Sequence, residues 1–264
     1  MLNRPFWSTG RGAGIGALAT LGSVFTSQGP TFRELTVQAL SSIERGYDLL
    51  APKFDHTPFR TPDRFLDAVA GALDPLGPFD AGLDVCCGTG AGTRMLRPLC
   101  RERVTGVDFS AGMLAAAREA SDDGETPAVE WARADARALP FRREFDLAVS
   151  FGAFGHFLPA ERPVLFAGVH RALRPGGLFA FPIGAPQPIG SRLYWTLLGF
   201  DAVMRVRNAL WRPRFVMYYR TFPLSGVRDD LVRAGFTVRL QPLEEFGRRS
   251  DGSPNCRLVV ARKA

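Results

Sequence analysis

The chain of 264 residues is nearly without lysine: Lys53 and Lys263 are its only two, and arginine supplies the rest of its 33 basic side chains. Histidine is almost as scarce, with His56, His156 and His170. So small a set gives no histidine-rich metal cluster in sequence. Cysteine is limited to Cys86, Cys87, Cys100 and Cys256. Their spacing fits no zinc motif and no disulfide framework, so no metal site is expected. A reducing, cytoplasmic compartment is expected instead. No run reaches the roughly 18 uncharged apolar residues of a membrane-spanning helix, which argues against a polytopic membrane protein.

What is present is globular in proportion. Apolar residues make up 46% and charged residues 22%, which excludes a disordered chain or a collagen-like fibre. The formal charge of +7 is unevenly spread. Residues 185–264 carry 14 basic and 6 acidic side chains, a net +8, whereas residues 1–184 carry 19 and 20, a net −1. An excess confined to the last third suits an anionic substrate, a peripheral membrane contact or a solvated face. Residues 1–30 are rich in glycine and serine without a period and are expected to be a flexible leader. No apolar strand precedes Gly10, Gly12, Gly14 and Gly16, so they are not expected to form a nucleotide loop. The mildly apolar run at 12–25 lacks a small-x-small cleavage site and is not expected to be a signal peptide.

Further along, Phe32, Leu35, Ala39, Ile43 and Leu50 recur at helical spacing, which predicts a helix over 31–50. Pro62 opens a second helix over 63–73. From residue 81 strands and helices alternate. Strands are expected at 81–86, 103–108, 128–133, 145–151 and 177–183, and helices at 92–103, 111–120 and 163–173. Such alternation means a mostly parallel, doubly wound α/β sheet with helices on both faces. Residues 184–223 interrupt it with prolines, then Tyr194, Trp195, Phe200, Trp211, Phe215, Tyr218 and Tyr219 interleaved with arginines. Leu193, Leu197, Phe200 and Met204 fall at helical spacing within that insert. A helix at 227–234 ending at Gly235 and strands at 236–240 and 256–261 complete the pattern.

The most informative segment is Leu83-Asp84-Val85-Cys86-Cys87-Gly88-Thr89-Gly90-Ala91-Gly92-Thr93. It reads as an apolar strand, a glycine-rich turn and a helix start. At the carboxyl edge of a parallel sheet such a turn lets backbone approach a ligand closely. Asp84 sits inside the strand. Asp108 ends the next strand, 18 residues after Gly90, near the spacing at which an acid reaches a ribose.

These residues resemble the class I S-adenosylmethionine-dependent methyltransferases. That family's first motif reads apolar, Asp/Glu, apolar, Gly-x-Gly-x-Gly, and Asp84 to Gly90 match it with Cys86 in place of the first glycine. Asp108 resembles the acid that binds the ribose hydroxyls, with Phe109 beside it. Ser110-Ala111-Gly112-Met113-Leu114 resembles the opening of the second helix. Ala134-Asp135-Ala136-Arg137-Ala138-Leu139-Pro140-Phe141 resembles the segment that contacts adenine. Residues 145–150 resemble the fourth strand and 170–177 the turn before the fifth, so the likeness runs in order over about 45–183.

The resemblance implies a Rossmann-like fold with seven strands in the order 3-2-1-4-5-7-6, the seventh antiparallel and reached from the sixth by a hairpin-like loop over 241–255. It implies S-adenosyl-L-methionine as co-substrate. The implied donor contacts are Asp84, Cys86, Gly88, Thr89, Gly90, Asp108, Phe109, Met113, Asp135, Ala136 and Phe151. Asp84 has a second reading as a stabiliser of the glycine turn, and Asp135 as a helix N-cap. Tyr47-Asp48-Leu49-Leu50-Ala51-Pro52-Lys53-Phe54-Asp55 resembles the N-terminal cap of the ubiquinone/menaquinone-biosynthesis methyltransferases and their relatives. That likeness implies that the helices before residue 80 cover the donor, with Tyr47 as a contact or a packing residue. A single methyltransferase domain over 31–264 is therefore expected, with a cap at 31–80 and an acceptor-side insert at 184–223.

Methyl transfer from a sulfonium needs alignment and exclusion of water, and a base only when the acceptor must lose a proton. His156 follows the fourth strand at the ligand edge and is the candidate base, or else packs within its loop. The aromatic insert suits a small lipophilic or aromatic acceptor. An RNA or protein methyltransferase is the alternative. Against it, residues 150–153 read Ser-Phe-Gly-Ala, not the Asn/Asp-Pro-Pro-Tyr/Phe tetrapeptide of amino-nitrogen methylation, and no nucleic-acid module is appended. A non-catalytic donor-binding protein is a third reading. A dehydrogenase is weaker, because Cys86-Cys87-Gly88-Thr89-Gly90 lacks the dinucleotide arrangement of glycines.

Overall fold

The computed structural model describes residues 26–121 and 126–264. The expected leader at 1–30 lies outside the described residues except for 26–30, as do the glycine series at 10–16 and the run at 12–25.

Two helices, α1 (Phe32–Leu40) and α2 (Ile43–Leu50), occupy the region expected to be one. The break is at two serines. Ser41 ends α1 in extended conformation, and Ser42 caps α2, its hydroxyl accepting from the Arg45 N–H. Serine hydroxyls compete for nearby backbone groups, so a serine pair favours a cap over helix interior. Thr31 and Glu34 form a reciprocal capping box at the start of α1. Helix α3 (Asp63–Leu73) follows, led in by Pro62 as expected.

The sheet contains β1 (Phe79–Val85), β2 (Cys100–Asp108), β3 (Ala128–Arg133), β4 (Phe145–Val149), β5 (Leu173–Gly184), β6 (Phe236–Pro242) and β7 (Cys256–Lys263). Their order is β3-β2-β1-β4-β5-β7-β6. Pairing is parallel from β3 to β5 and antiparallel where β7 meets β5 and β6. This is the order and the antiparallel strand that the family resemblance implied. The hairpin-like connection from β6 to β7 carries a short turn at Glu244–Phe246 and a bridge between Arg248 and Pro254.

Between strands lie α4 (Ala91–Leu96), α5 (Ala111–Glu119), α6 (Arg162–Ala172), α7 (Arg192–Leu210) and α8 (Leu224–Arg233). Helix α4 is shorter than the expected 92–103. Pro98 lacks an N–H, the chain tightens into a 3-10 turn at Arg97–Leu99, and β2 starts at Cys100. Strand β5 begins at Leu173, earlier than the expected 177, as α6 ends at Ala172.

Strand alternation sorts the core into two layers. Phe179 and Phe181 of β5 join Phe166, Val169, Val227 and Leu231 on the α6 and α8 side. Leu178 and Ala180 join Leu66, Val69, Leu73 and Leu96 on the α3 and α4 side. A smaller cluster of Met204, Phe215 and Tyr218, with Ile43 and Tyr47 against it, fastens α7 to α2. The strand order reverses at β1, which has β2 on one side and β4 on the other, so the carboxyl ends of these strands frame a crevice. Among the described residues, no helix is long and apolar enough to cross a membrane.

Candidate active site

The turn after β1 is built from left-handed residues. Cys86, Gly88 and Gly90 have φ of 60°, 53° and 82°. Glycine takes this conformation freely, whereas a side chain costs about 1–2 kcal/mol. That is the physical reason for a glycine at the position Cys86 fills. Gly90 caps α4, and a Cβ there would lie 2.7 Å from Trp131 Cη2. Gly90 thus belongs to the packing beneath the turn and not to the cavity wall.

Two acids flank the turn differently. Asp108, at the end of β2, accepts the Gly88 N–H at 2.9 Å and the Ser110 N–H at 2.9 Å. Burial raises its pKa above the ordinary carboxylate value against the pull of those hydrogen bonds. Asp84 is deeper, accepting from the Thr93 hydroxyl at 3.0 Å. Desolvation raises its pKa to about 7, opposed by the Thr93 hydrogen bonds. A Cβ on Gly92 would stand 2.7 Å from Asp84 Oδ2, so only glycine leaves the carboxyl its place. Asp84 therefore holds the first turn of α4 through Thr93, and it also borders the cavity.

The N-terminal helices are tied to this turn by residues the motif reading passed over. Asp48 of α2 accepts from Ser110 Oγ at 2.6 Å and from the Gly112 N–H at 2.9 Å, covering the start of α5. Asp55 accepts from Thr89 Oγ1 at 2.7 Å. Arg94 donates to the Thr89 carbonyl at 2.9 Å. Asp48 and Asp55 both stand in the Tyr47–Asp55 run, so the signal was present, but without a pairing partner visible in sequence.

Asp135 caps the 3-10 turn Ala136–Ala138, accepting from the Arg137 N–H at 2.9 Å. Burial would raise its pKa, but the hydrogen bonds and charge of Arg137 outweigh that and hold it below the ordinary value. Its capping role is thus real, and it lines the cavity as well.

His156 lies in a 3-10 turn at Phe154–His156, beyond the end of β4. Its Nδ1 is 2.7 Å from the Val216 carbonyl and its Nε2 is 2.7 Å from the Tyr47 hydroxyl. A carbonyl only accepts, so Nδ1 carries the proton. Nε2 then accepts from Tyr47. Burial lowers the His156 pKa below 6.5 despite the Val216 hydrogen bond. Burial also pushes the Tyr47 phenol well above its usual value, with Asp108 nearby adding to the shift. His170, by contrast, sits in the last turn of α6, edge-on to Phe236.

A cavity of about 630 Å3 connects these groups. One end is walled by Asp84, Cys86, Gly88, Thr89, Asp108, Phe109, Met113, Asp135, Ala136 and Phe151. Tyr47 and His156 stand in its wall too, so Gly90 is the one expected site residue outside it. Arg60, Thr61, Thr196 and Tyr219 also line the cavity, and the rest of its wall is apolar: Ile43, Phe54, Phe59, Phe157, Leu193, Leu197, Phe200 and Met217. The insert at 184–223 supplies four of those eight. The donor fits the first end. Gly88 is open, with nothing within 4 Å of a Cβ position, and a buried carboxylate stands beside it.

Residues 83–177 match a family model described as a methyltransferase domain. A 2-phytyl-1,4-naphtoquinone methyltransferase of Thermosynechococcus vestitus is 41% identical over 97 residues, 36% of this chain and 42% of that protein. The protein of the same description from Nostoc punctiforme is 36% identical over 169 residues, 60% of this chain and 73% of that one. The chain thus spans less than half of the first relative and nearly three quarters of the second. Among solved structures, the magnesium protoporphyrin IX methyltransferase of Synechocystis PCC 6803 with bound SAH superposes with a TM-score of 0.54 at 18% identity, covering 76% of this chain and 82% of that one. At that identity the likeness is one of fold.

Proposed function

The chain belongs to the S-adenosylmethionine-dependent methyltransferases, and from that premise we propose that it methylates a small lipophilic or aromatic acceptor. One observation carries this reading: the cavity runs without interruption from Asp108 and Gly88 to an apolar end made by Leu193, Leu197, Phe200 and Met217. When bound, the donor supplies a methyl group activated by a positively charged sulfur. Asp108, held by two backbone N–H groups, would accept from the ribose hydroxyls. Phe109, Met113, Asp135 and Ala136 would hold the donor's adenine, and the turn from Cys86 to Thr89 would offer it backbone.

The protein's part in the reaction is alignment and exclusion of water. The apolar end holds a hydrophobic acceptor by burial of its surface. The Tyr47–His156 pair is a polar feature of the wall, along with Arg60, Thr61, Thr196 and Tyr219. With Nδ1 fixed on Val216, Nε2 is the basic atom, and Tyr47 relays a proton to it when the acceptor must lose one. The relatives named for a phytylated naphthoquinone set the class to try first: a reduced naphthoquinone bearing an isoprenoid chain, whose electron-rich ring is a nucleophile. Four unpaired cysteines support a reducing, cytoplasmic setting.

The test is a methyl-labelled donor offered with lipophilic quinols, with RNA and with protein. Label in the organic extract of the quinol reactions supports the reading. Label in RNA or protein alone overturns it.

A further inference from the structure

Helix α7 buries two polar residues among the apolar ones on its inner side. Its Asp201 and Asn208 are buried, at 5% and 6% exposure. Asp201 accepts the Tyr219 N–H at 2.8 Å and the Arg220 N–H at 3.2 Å. The Asn208 amide donates to the Phe215 carbonyl at 2.9 Å and to Tyr218 Oη at 3.0 Å, and its oxygen accepts from the Phe215 N–H at 2.8 Å. These two side chains hold the segment after α7 against the helix, so their hydrogen bonds are met within the fold.

The outer face also carries apolar side chains. Trp195, Val203, Val206 and Leu210 are 58%, 67%, 58% and 82% exposed. At about 100° per residue they form one stripe, with Gly199 and Ala202 between them. A solvated helix turns its polar residues outward, so a stripe of this kind needs a partner that is not water. Trp211 continues the stripe, its indole N–H donating to the Leu40 carbonyl at 3.2 Å. That contact sets Trp211 at the end of α1, where Val37 and Leu40 are also exposed.

Charge says what the partner is. Residues 185–227 contain six arginines and one acid, and the acid is the buried Asp201. Arg192, Arg205, Arg212 and Arg214 are exposed around the stripe. The acid of α1, Glu34, is paired with Lys53. An apolar stripe bordered by arginines, with tryptophans beside it and, among the described residues of α1 and 185–227, no free carboxylate, matches a helix lying in the headgroup region of an anionic bilayer. The inner side of the same helix walls the apolar end of the cavity through Leu193, Leu197 and Phe200.

We propose that α7, together with Trp211 and the end of α1, docks flat on an anionic phospholipid surface. The apolar stripe enters the acyl boundary and the arginines meet headgroup phosphates. The lipophilic acceptor then passes from the bilayer into the cavity along α7. That route rests on the acceptor class proposed above, whereas the docking does not.

Flotation with vesicles tests it, using phosphatidylcholine alone and phosphatidylcholine mixed with phosphatidylglycerol. The full chain binds the anionic vesicles at least about tenfold more tightly, and high salt abolishes the preference. The double variant Val206→Glu, Leu210→Glu lowers that binding about tenfold or more. It binds S-adenosylhomocysteine by calorimetry within about twofold of wild type, which reports an intact fold. If the glutamates unfold the chain, Val206→Ser, Leu210→Ser decides on the same two readouts. No flotation at low salt overturns the proposal, as does unchanged flotation of a folded variant. A wild-type dimer that the variant turns into a monomer also overturns it, because the stripe would then be a contact between copies. Failure of wild type to bind S-adenosylhomocysteine counts against the proposed reaction and leaves the flotation result to judge the docking.

Discussion

Tyr47 and His156, 109 positions apart in the chain, meet in a 2.7 Å hydrogen bond in which the phenol donates to the imidazole Nε2. The Val216 carbonyl fixes the tautomer from the other side at 2.7 Å. If this pair moves a proton from the acceptor, Tyr47→Phe and His156→Ala each lower kcat about a hundredfold while donor affinity stays within about threefold. Since burial holds the imidazole below its ordinary 6.5, the base form persists into mildly acidic solution. The acid limb of the rate profile therefore falls below pH 6.5. Steady-state kinetics on both variants checks this, and unchanged kcat removes the pair from the mechanism.

Cys86 occupies a left-handed position. Cys86→Gly relieves about 1–2 kcal/mol of backbone strain but adds about 0.5–1 kcal/mol of chain entropy to be lost on folding. The expected outcome is a chain as stable as wild type, or more stable by up to about 1.5 kcal/mol, that still binds the donor. Cys86→Val, with a β-branched side chain at positive φ, loses stability by more than about 1 kcal/mol. Denaturant unfolding with donor titration compares the two.

The fold was largely readable because short apolar strands alternate with helical segments from residue 81 onward. Where the elements differ from their periodicity, a local competitor decides: Ser41 and Ser42 split the first helix, and Pro98 cuts α4 short. The donor side was readable because its contacts are contiguous in sequence. The tethers were not. Asp48 and Asp55 act on Ser110, Gly112 and Thr89, and nothing local announces such long-range pairings. Likewise, Leu193, Leu197, Phe200 and Met204 gave the inner face of α7, but only the fold shows that Asp201 and Asn208 share that side.

Asp48 is therefore a prediction of its own. Asp48→Ala leaves the Gly112 N–H without its carboxylate and frees α2 from α5. It lowers stability by about 1–3 kcal/mol and weakens donor binding, because the cap no longer closes on the turn. Unfolding curves and donor titration measure both effects. A variant as stable as wild type with unchanged affinity would show that the tether is idle.

Asp84 carries a pH signature. Its pKa is about 7 in the fold against 3.8 as an ordinary carboxyl. The folded chain thus holds a proton that the unfolded chain has lost between those values. The Asp84 contribution is full at about pH 4 and declines by about 1.4 kcal/mol per pH unit up to about 7. Asp84→Asn keeps an acceptor for Thr93 and flattens this part of the profile. Thermal unfolding of both proteins between pH 5 and 8 is the check, and parallel profiles would contradict it.

Calorimetric titration with S-adenosylhomocysteine bears most directly on the account. Wild type should bind one equivalent. Asp108→Ala should bind at least about tenfold more weakly, having lost a charged hydrogen-bond acceptor and left the Gly88 N–H unmet. A folded wild type that takes up no ligand, or an Asp108→Ala variant that binds as tightly as wild type, would contradict it.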